Sequence, residues 1–163
     1  MESGLVIRRY VENDYSAITE YCLPKEQAIY TSLPIDVLEV FKKDKFNLPF
    51  IIFLDDDLIG CFALYTNKEG NYYTGNENAI ILKSFSIDSR YQNRGYALQT
   101  FNRLPEIIKI NFPDKDEIIL TVHHTNLPAI HLYKKAGFMD KGLRFDGDYG
   151  EELIFHFDLD RVL

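Results

Sequence analysis

The alternation of apolar and polar positions divides the chain into elements in the order β, helices, β, β, β, helix, β, helix, β, β. Leu5 to Tyr10 reads as a short opening strand. Glu12-Asn13-Asp14 supplies capping chemistry ahead of Tyr15, Ile18 and Cys22, which fall at helical spacing. Pro24 interrupts. A second helix follows Pro34, which suits a first turn, with Val37, Leu38 and Phe41 on one face. Pro49 to Leu54 and Leu58 to Tyr65 are β-rich runs around Asp55-Asp56-Asp57, a hairpin signal.

Residues 67–78 are polar and rich in Gly and Asn, and fit either a lid over a site or an extended hairpin tip. Ala79 to Ile87 is the next strand. Ala97 to Asn111 is helical, with Leu98, Phe101, Leu104 and Ile108 on one face. Pro105 removes the hydrogen bond to the Phe101 carbonyl, so a kink or split is expected there. Asp116 to Val122 is a strand and Asn126 to Ala136 a helix, closed by Gly137 as a left-handed cap. Phe138 onward and Glu151 to Leu159 form the last two strands. No repeat, linker or low-complexity tract interrupts residues 1–163, so a single domain is expected.

Composition narrows the function classes. A chain of 163 residues with 46% hydrophobic content is a folded domain, not a disordered one. Its 18 basic and 25 acidic residues give a net charge of −7. That speaks against a nucleic-acid partner, which is held by Lys and Arg on phosphates. It leaves room for a local pocket taking one phosphorylated small molecule, and for a cationic second ligand. Cys22 and Cys61 stand apart and the four histidines show no ligand spacing, so neither a disulfide framework nor a metal is expected. Three adjacent carboxylates in one tight turn cannot converge on one ion, so Asp55-Asp56-Asp57 reads as a solvated turn. Met1-Glu2-Ser3-Gly4 lacks a basic and apolar leader, and no apolar run approaches the ~20 residues of a membrane span. A cytoplasmic protein without a membrane partner is the expectation. A homodimer is expected only on the general frequency of closed self-association.

The chemistry concentrates in Ile87-Asp88-Ser89-Arg90-Tyr91-Gln92-Asn93-Arg94-Gly95-Tyr96-Ala97. A strand ends, a polar loop passes through a glycine, and a helix begins. The first N–H groups of a helix lack internal partners and sit at the positive end of its dipole, so this arrangement cradles an anion. Gly95 allows close backbone approach, the small Ala97 leaves the helix start uncrowded, and Arg94 adds a charged donor. Gln92-x-x-Gly95-x-Ala97 also fits an ordinary helix start when taken alone. It lacks the Gly-Lys-Ser/Thr ending of nucleotide-hydrolase phosphate loops and the three glycines of a dinucleotide fingerprint. Further on stands Asn126-Leu127-Pro128-Ala129-Ile130-His131-Leu132-Tyr133-Lys134-Lys135-Ala136-Gly137-Phe138.

Together the two segments resemble the GNAT superfamily of N-acetyltransferases. The first resembles its pyrophosphate-binding pattern, Gln/Arg-x-x-Gly-x-Gly/Ala, and the second is similar to its Asn-x-x-Ala-x-x-x-Tyr-x-x-x-Gly-Phe pattern. The likeness covers residues 5–159, with its specific part at 82–138. It implies an α/β (α+β) fold with a mixed, mostly antiparallel central sheet of about seven strands, flanked by about four helices. It also implies a splayed, V-shaped gap between strands 4 and 5, matching Leu82–Ile87 and Ile118–Val122 here.

The implied co-substrate is acetyl-CoA. Backbone groups at Phe85, Ser86 and Ile87 would pair with its pantetheine arm, and an N–H near Phe85 would polarise the thioester carbonyl. The amides of Gln92, Asn93, Arg94, Gly95, Tyr96 and Ala97 would hold the pyrophosphate. Asn126 matches a residue touching the cofactor arm, and Tyr133 the acid that protonates the departing thiolate. A phenol of ordinary pKa ~10 is a plausible donor. The base is open among Glu26, Glu77, Asp88, His123 and Glu151.

Leu23 to Pro34 looks like the acceptor-side segment of small bacterial members, and Phe85-x-Ile87-Asp88-x-x-Tyr91-Gln92 is similar to polyamine acetyltransferases. The acidic balance suits a small cationic amine, with Glu26, Tyr30, Tyr72 and His123, joined by Tyr21 and Tyr73, as pocket candidates. Transfer to a protein or peptide N-terminus, which would need an open groove, and a non-catalytic acetyl-CoA-binding module are the alternatives.

Overall fold

A computed structural model describes residues 4–67 and 71–161. Along the chain run β1 (Leu5–Arg9), α1 (Tyr15–Ile18), α2 (Lys25–Ala28), α3 (Pro34–Lys43), β2 (Asn47–Leu54), β3 (Asp57–Tyr65) and β4 (Ala79–Ile87). Then follow α4 (Tyr96–Asn111), β5 (Glu117–His123), α5 (Leu127–Lys135), β6 (Met139–Gly147) and β7 (Gly150–Asp158). The strands form one mixed, seven-stranded sheet in the order β1-β2-β3-β4-β5-β7-β6. The expected α/β class and strand order are observed. Of the five α-helices among the described residues, α1 and α2 are single turns of four residues each. Among the described residues, no helix is long and apolar enough to cross a membrane.

Two compact units divide the chain: residues up to 65 with 83–100, and residues 66–82 with 101 onward. β4 and α4 each contribute one part to either unit.

In the first unit, β1 pairs antiparallel with β2 and β2 with β3, with Leu5 opposite Leu54 and Asn47 opposite Tyr65. Every β3 residue after Asp57 is buried, which explains why this strand is a continuous apolar run. Val37 and Leu38 of α3 join Ile18, Tyr21, Ile51 and Cys61 in one core cluster. Burying an aliphatic side chain of that size contributes about 1.5–3 kcal/mol. Phe50, Phe62 and Phe85 stack in succession, at 5.3 and 6.1 Å between ring centroids. That stack anchors the second half of β4.

The helix expected to reach Cys22 stops at Ile18. Backbone hydrogen bonds leave the helical pattern here because better partners exist. Cys22 N donates to the buried Asp88 carboxylate at 3.0 Å, and Cys22 O accepts from Ser89 N at 2.9 Å.

In the second unit, β5 runs parallel to the first part of β4, with Ala79, Ile80 and Ile81 opposite Glu117, Ile118 and Ile119. Among the described residues this ladder covers those three pairs, while β4 continues to Ile87 and β5 to His123. So short a ladder fits the expected splay. β5 pairs antiparallel with β7 along its whole length, and β7 with β6. Pro105 does not split α4, which runs unbroken from Tyr96 to Asn111. Phe101, Leu104 and Ile108 are at most 1% exposed, and their burial offsets the ~3 kcal/mol of an interior proline.

Residues 68–70 of the expected loop lie outside the described residues. The part at 71–78 is pinned: Asn71 Nδ2 donates to Asn76 O at 2.8 Å, and Asn76 Nδ2 donates to Asp116 at 2.9 Å. Those bonds favour the hairpin-tip reading of this part over a lid.

Candidate active site

The strand–loop–helix segment belongs to the first unit up to Thr100. Ile87 ends β4, a 3-10 turn covers Ser89–Tyr91, and α4 starts at Tyr96. Asn93 and Gly95 both take left-handed backbone, with φ of +61° and +85°. Left-handed residues inside a loop let successive N–H groups converge on an anion, and α4 adds the unpaired N–H groups of its first turn. A Cβ built on Gly95 meets nothing closer than 3.9 Å, so its backbone angle, not crowding, is what calls for glycine there. These residues have the form an anion site needs.

The base of the loop is fixed by Asp88, which is fully buried. Its carboxylate accepts from Arg90 N at 2.9 Å, Arg90 Nη2 at 2.8 Å and Cys22 N at 3.0 Å. Burial disfavours its charge, but hydrogen bonds from the Arg90 side chain and the two backbone groups outweigh that, leaving its pKa below the usual carboxylate range. A carboxylate so held is a structural anchor and a poor base.

Gln92, the first residue of the anion motif, does not offer its side chain to a ligand. Gln92 Nε2 donates to Ile87 O at 2.8 Å and to Gln27 Oε1 at 2.7 Å, and Gln27 Nε2 donates back to Gln92 Oε1 at 3.0 Å. Ser86 also turns its side chain inward. Its hydroxyl shares hydrogen bonds with the Tyr21 hydroxyl at 2.7 Å and the Cys61 thiol at 3.9 Å. Burial pushes that thiol up to about 12 and raises the Tyr21 phenol further. Tyr21, weighed as a pocket residue, is thus a core residue, because its hydroxyl finds a buried partner. Phe85 O accepts from Thr31 Oγ1 at 3.1 Å. Glu26 and Tyr30 flank Gln27 on the exposed side of the same segment.

In the second unit, Asn126 caps α5, its Oδ1 accepting from Ala129 N at 3.4 Å. The αL angle expected at Gly137 is observed, with φ of +96°. The Tyr133 ring packs on Phe101 at 5.1 Å, Phe138 at 6.2 Å and Phe155 at 6.3 Å. Among the described residues its hydroxyl has no hydrogen-bond partner, and burial pushes the phenol up to about 12. Three aromatic contacts fix the ring and leave its proton available for donation.

His123 has both ring nitrogens engaged, Nδ1 with Thr125 Oγ1 at 2.7 Å and Nε2 with Tyr149 O at 2.9 Å. Tyr72 is 81% exposed, whereas Tyr73 packs edge-on against Phe145 at 4.9 Å. The four substrate-side candidates therefore fall into two pairs: Glu26 and Tyr30 in the first unit, Tyr72 and His123 in the second. Gln27 was not legible from the chain, since the spacing of 65 residues to Gln92 carries no local pattern.

Residues 11–138 match the acetyltransferase (GNAT) family. The chain is 36% identical over 157 residues to an uncharacterized N-acetyltransferase, YbbJ, of Bacillus subtilis (strain 168), covering 96% of this chain and 98% of that one. It is 28% identical over 144 residues to the spermine/spermidine N(1)-acetyltransferase of the same strain, covering 87% and 93%. Among solved structures, aminoglycoside acetyltransferase AAC(6')-Ib in complex with coenzyme A and kanamycin superposes with a TM-score of 0.76 at 19% identity, covering 94% of each chain.

Proposed function

The chain belongs to the acetyltransferase (GNAT) family, and from that premise we propose that it acetylates a small cationic primary amine, such as a polyamine, with Tyr133 as general acid. The observation that carries the reading is the pair of left-handed residues, Asn93 and Gly95, directly before α4. They suit the amides of residues 92–97 to the pyrophosphate of acetyl-CoA. The edge groups of Phe85, Ser86 and Ile87 are assigned to the pantetheine arm, and Asn126 is assigned a contact with the cofactor.

Bound acetyl-CoA supplies the acetyl group as a thioester; the amine nitrogen bonds to its carbonyl carbon, the carbon–sulfur bond breaks, and CoA leaves with a proton on sulfur. The N–H near Phe85 steadies the carbonyl oxygen as it gains charge. Tyr133 holds its proton at every physiological pH, because its phenol titrates near 12. It therefore enters the reaction as a hydrogen-bond donor to the departing sulfur and gives up its proton as negative charge collects there. The proton lost by the amine restores the phenol through solvent.

The likeness to a spermine/spermidine acetyltransferase and the charge of −7 support a cationic amine. Glu26 and Tyr30, of the first unit, are the pocket residues this reading favours; Tyr72 and His123 are the candidates of the second unit. Since both His123 ring nitrogens are engaged, its role is to shape the pocket. Comparing wild type with Tyr133→Phe, using acetyl-CoA and spermidine, tests the acid. The expected loss in kcat is about 10²-fold with the fold intact. Unchanged turnover would remove Tyr133 from the reaction.

A further inference from the structure

Gln27 lies on α2, in the segment assigned to the acceptor amine, yet its side chain is committed to the anion loop. The two amides of Gln27 and Gln92 bond reciprocally, at 2.7 and 3.0 Å, and Gln92 Nε2 also holds Ile87 O at 2.8 Å. The Gln92 side chain thus closes the loop from strand end to anion motif, and Gln27 fixes Gln92 in that pose. Other bonds tie the same two stretches together. Cys22 N and O engage Asp88 and Ser89, Arg90 Nη2 donates to Glu20 O at 3.1 Å, and Thr31 Oγ1 donates to Phe85 O. All these residues belong to the first unit.

We infer that Gln27 is a positioning residue that sets the acetyl-CoA affinity of the 92–97 loop through Gln92 and couples that loop to the acceptor segment. The inference rests on the proposed assignment of this loop to the pyrophosphate. A displacement of α2 by an amine at Glu26 or Tyr30 reaches the loop through one amide pair. By linkage, CoA on the loop then alters amine affinity by the same factor.

Calorimetric titration of CoA into wild type, Gln27→Met, Gln92→Ala and the double variant tests this. Gln27→Met keeps the length of the side chain and removes both hydrogen bonds, and a melting curve for each variant establishes that it is folded. The expected result is a Kd for CoA raised about 3–10-fold in Gln27→Met, as for the loss of two neutral hydrogen bonds. The double variant should bind no more weakly than Gln92→Ala alone, because Gln27 acts through Gln92. With acetyl-CoA and spermidine, Gln27→Met should raise KM for acetyl-CoA and leave kcat within about twofold. An unchanged Kd in a folded Gln27→Met, or additive effects in the double variant, would overturn the inference and leave the proposed function standing. Wild type failing to bind CoA would overturn both.

Discussion

Tyr133 and Asp88 differ in what burial does to them. Burial alone acts on the Tyr133 phenol and lifts it to about 12. Turnover should therefore show no basic limb from this group below about pH 11, while the acidic limb follows deprotonation of the amine. A pH profile of kcat extended to the alkaline side checks this, and a fall centred near 10 would mean that the phenol is solvated. Asp88 is fully buried but accepts from four N–H groups, those of Cys22 N and of Arg90 N, Nε and Nη2, so it stays charged. Asp88→Asn takes the charged acceptor from the N–H groups of Cys22 and Arg90. It should cost about 2 kcal/mol of stability by chemical denaturation. The place of Tyr133 on α5 was legible in the sequence because its neighbours in the motif are local. The use of Asp88 was not, because its partner Cys22 lies 66 positions away.

At the scale of elements, the loop before α4 depends on backbone conformation more than on side chains. Gly95→Ala forces a Cβ into a left-handed angle of +85° and should destabilise the fold by about 1–2 kcal/mol while weakening CoA binding. Denaturation and calorimetry on one sample separate the two effects; normal CoA affinity in the variant would show that the loop's shape is not what binds. The strands other than β6, with α3 and α4, were legible from periodicity, since each holds buried apolar residues, whereas β6 and α5 hold none. The end of α1 was not, because Cys22 leaves the helix for Asp88. The unbroken course of α4 through Pro105 follows from tertiary burial of Phe101, Leu104 and Ile108, which no local rule weighs.

The whole chain carries a charge of −7, yet its titration behaviour should be governed by a few held carboxylates. Asp14, bonded by both Arg8 terminal nitrogens at 2.9 Å, and Asp88 have pKa values below the ordinary range in the folded state. A depressed folded pKa contributes stability that is complete above the unfolded value of about 3.9 and is lost as pH falls through the folded value. The melting temperature should accordingly vary little from pH 7 to 5 and fall steeply below about pH 4. A steady decline beginning near pH 6 would point to histidine instead.

The charge also enters the question of substrate. Net charge opposed phosphate-rich partners, yet the proposed anion loop would work through backbone amides, which net charge does not register. The −7 bears on the amine. The most direct measurement is therefore release of CoA thiol from acetyl-CoA across a panel of polyamines, aminoglycosides, amino acids and peptides, with the acetylated product identified by mass spectrometry. The account predicts stoichiometric thiol release and N-acetylation with a polyamine or another small cationic amine, and none with peptides. Tight CoA binding without acetyl transfer to any amine, or transfer confined to peptide N-termini, would contradict it.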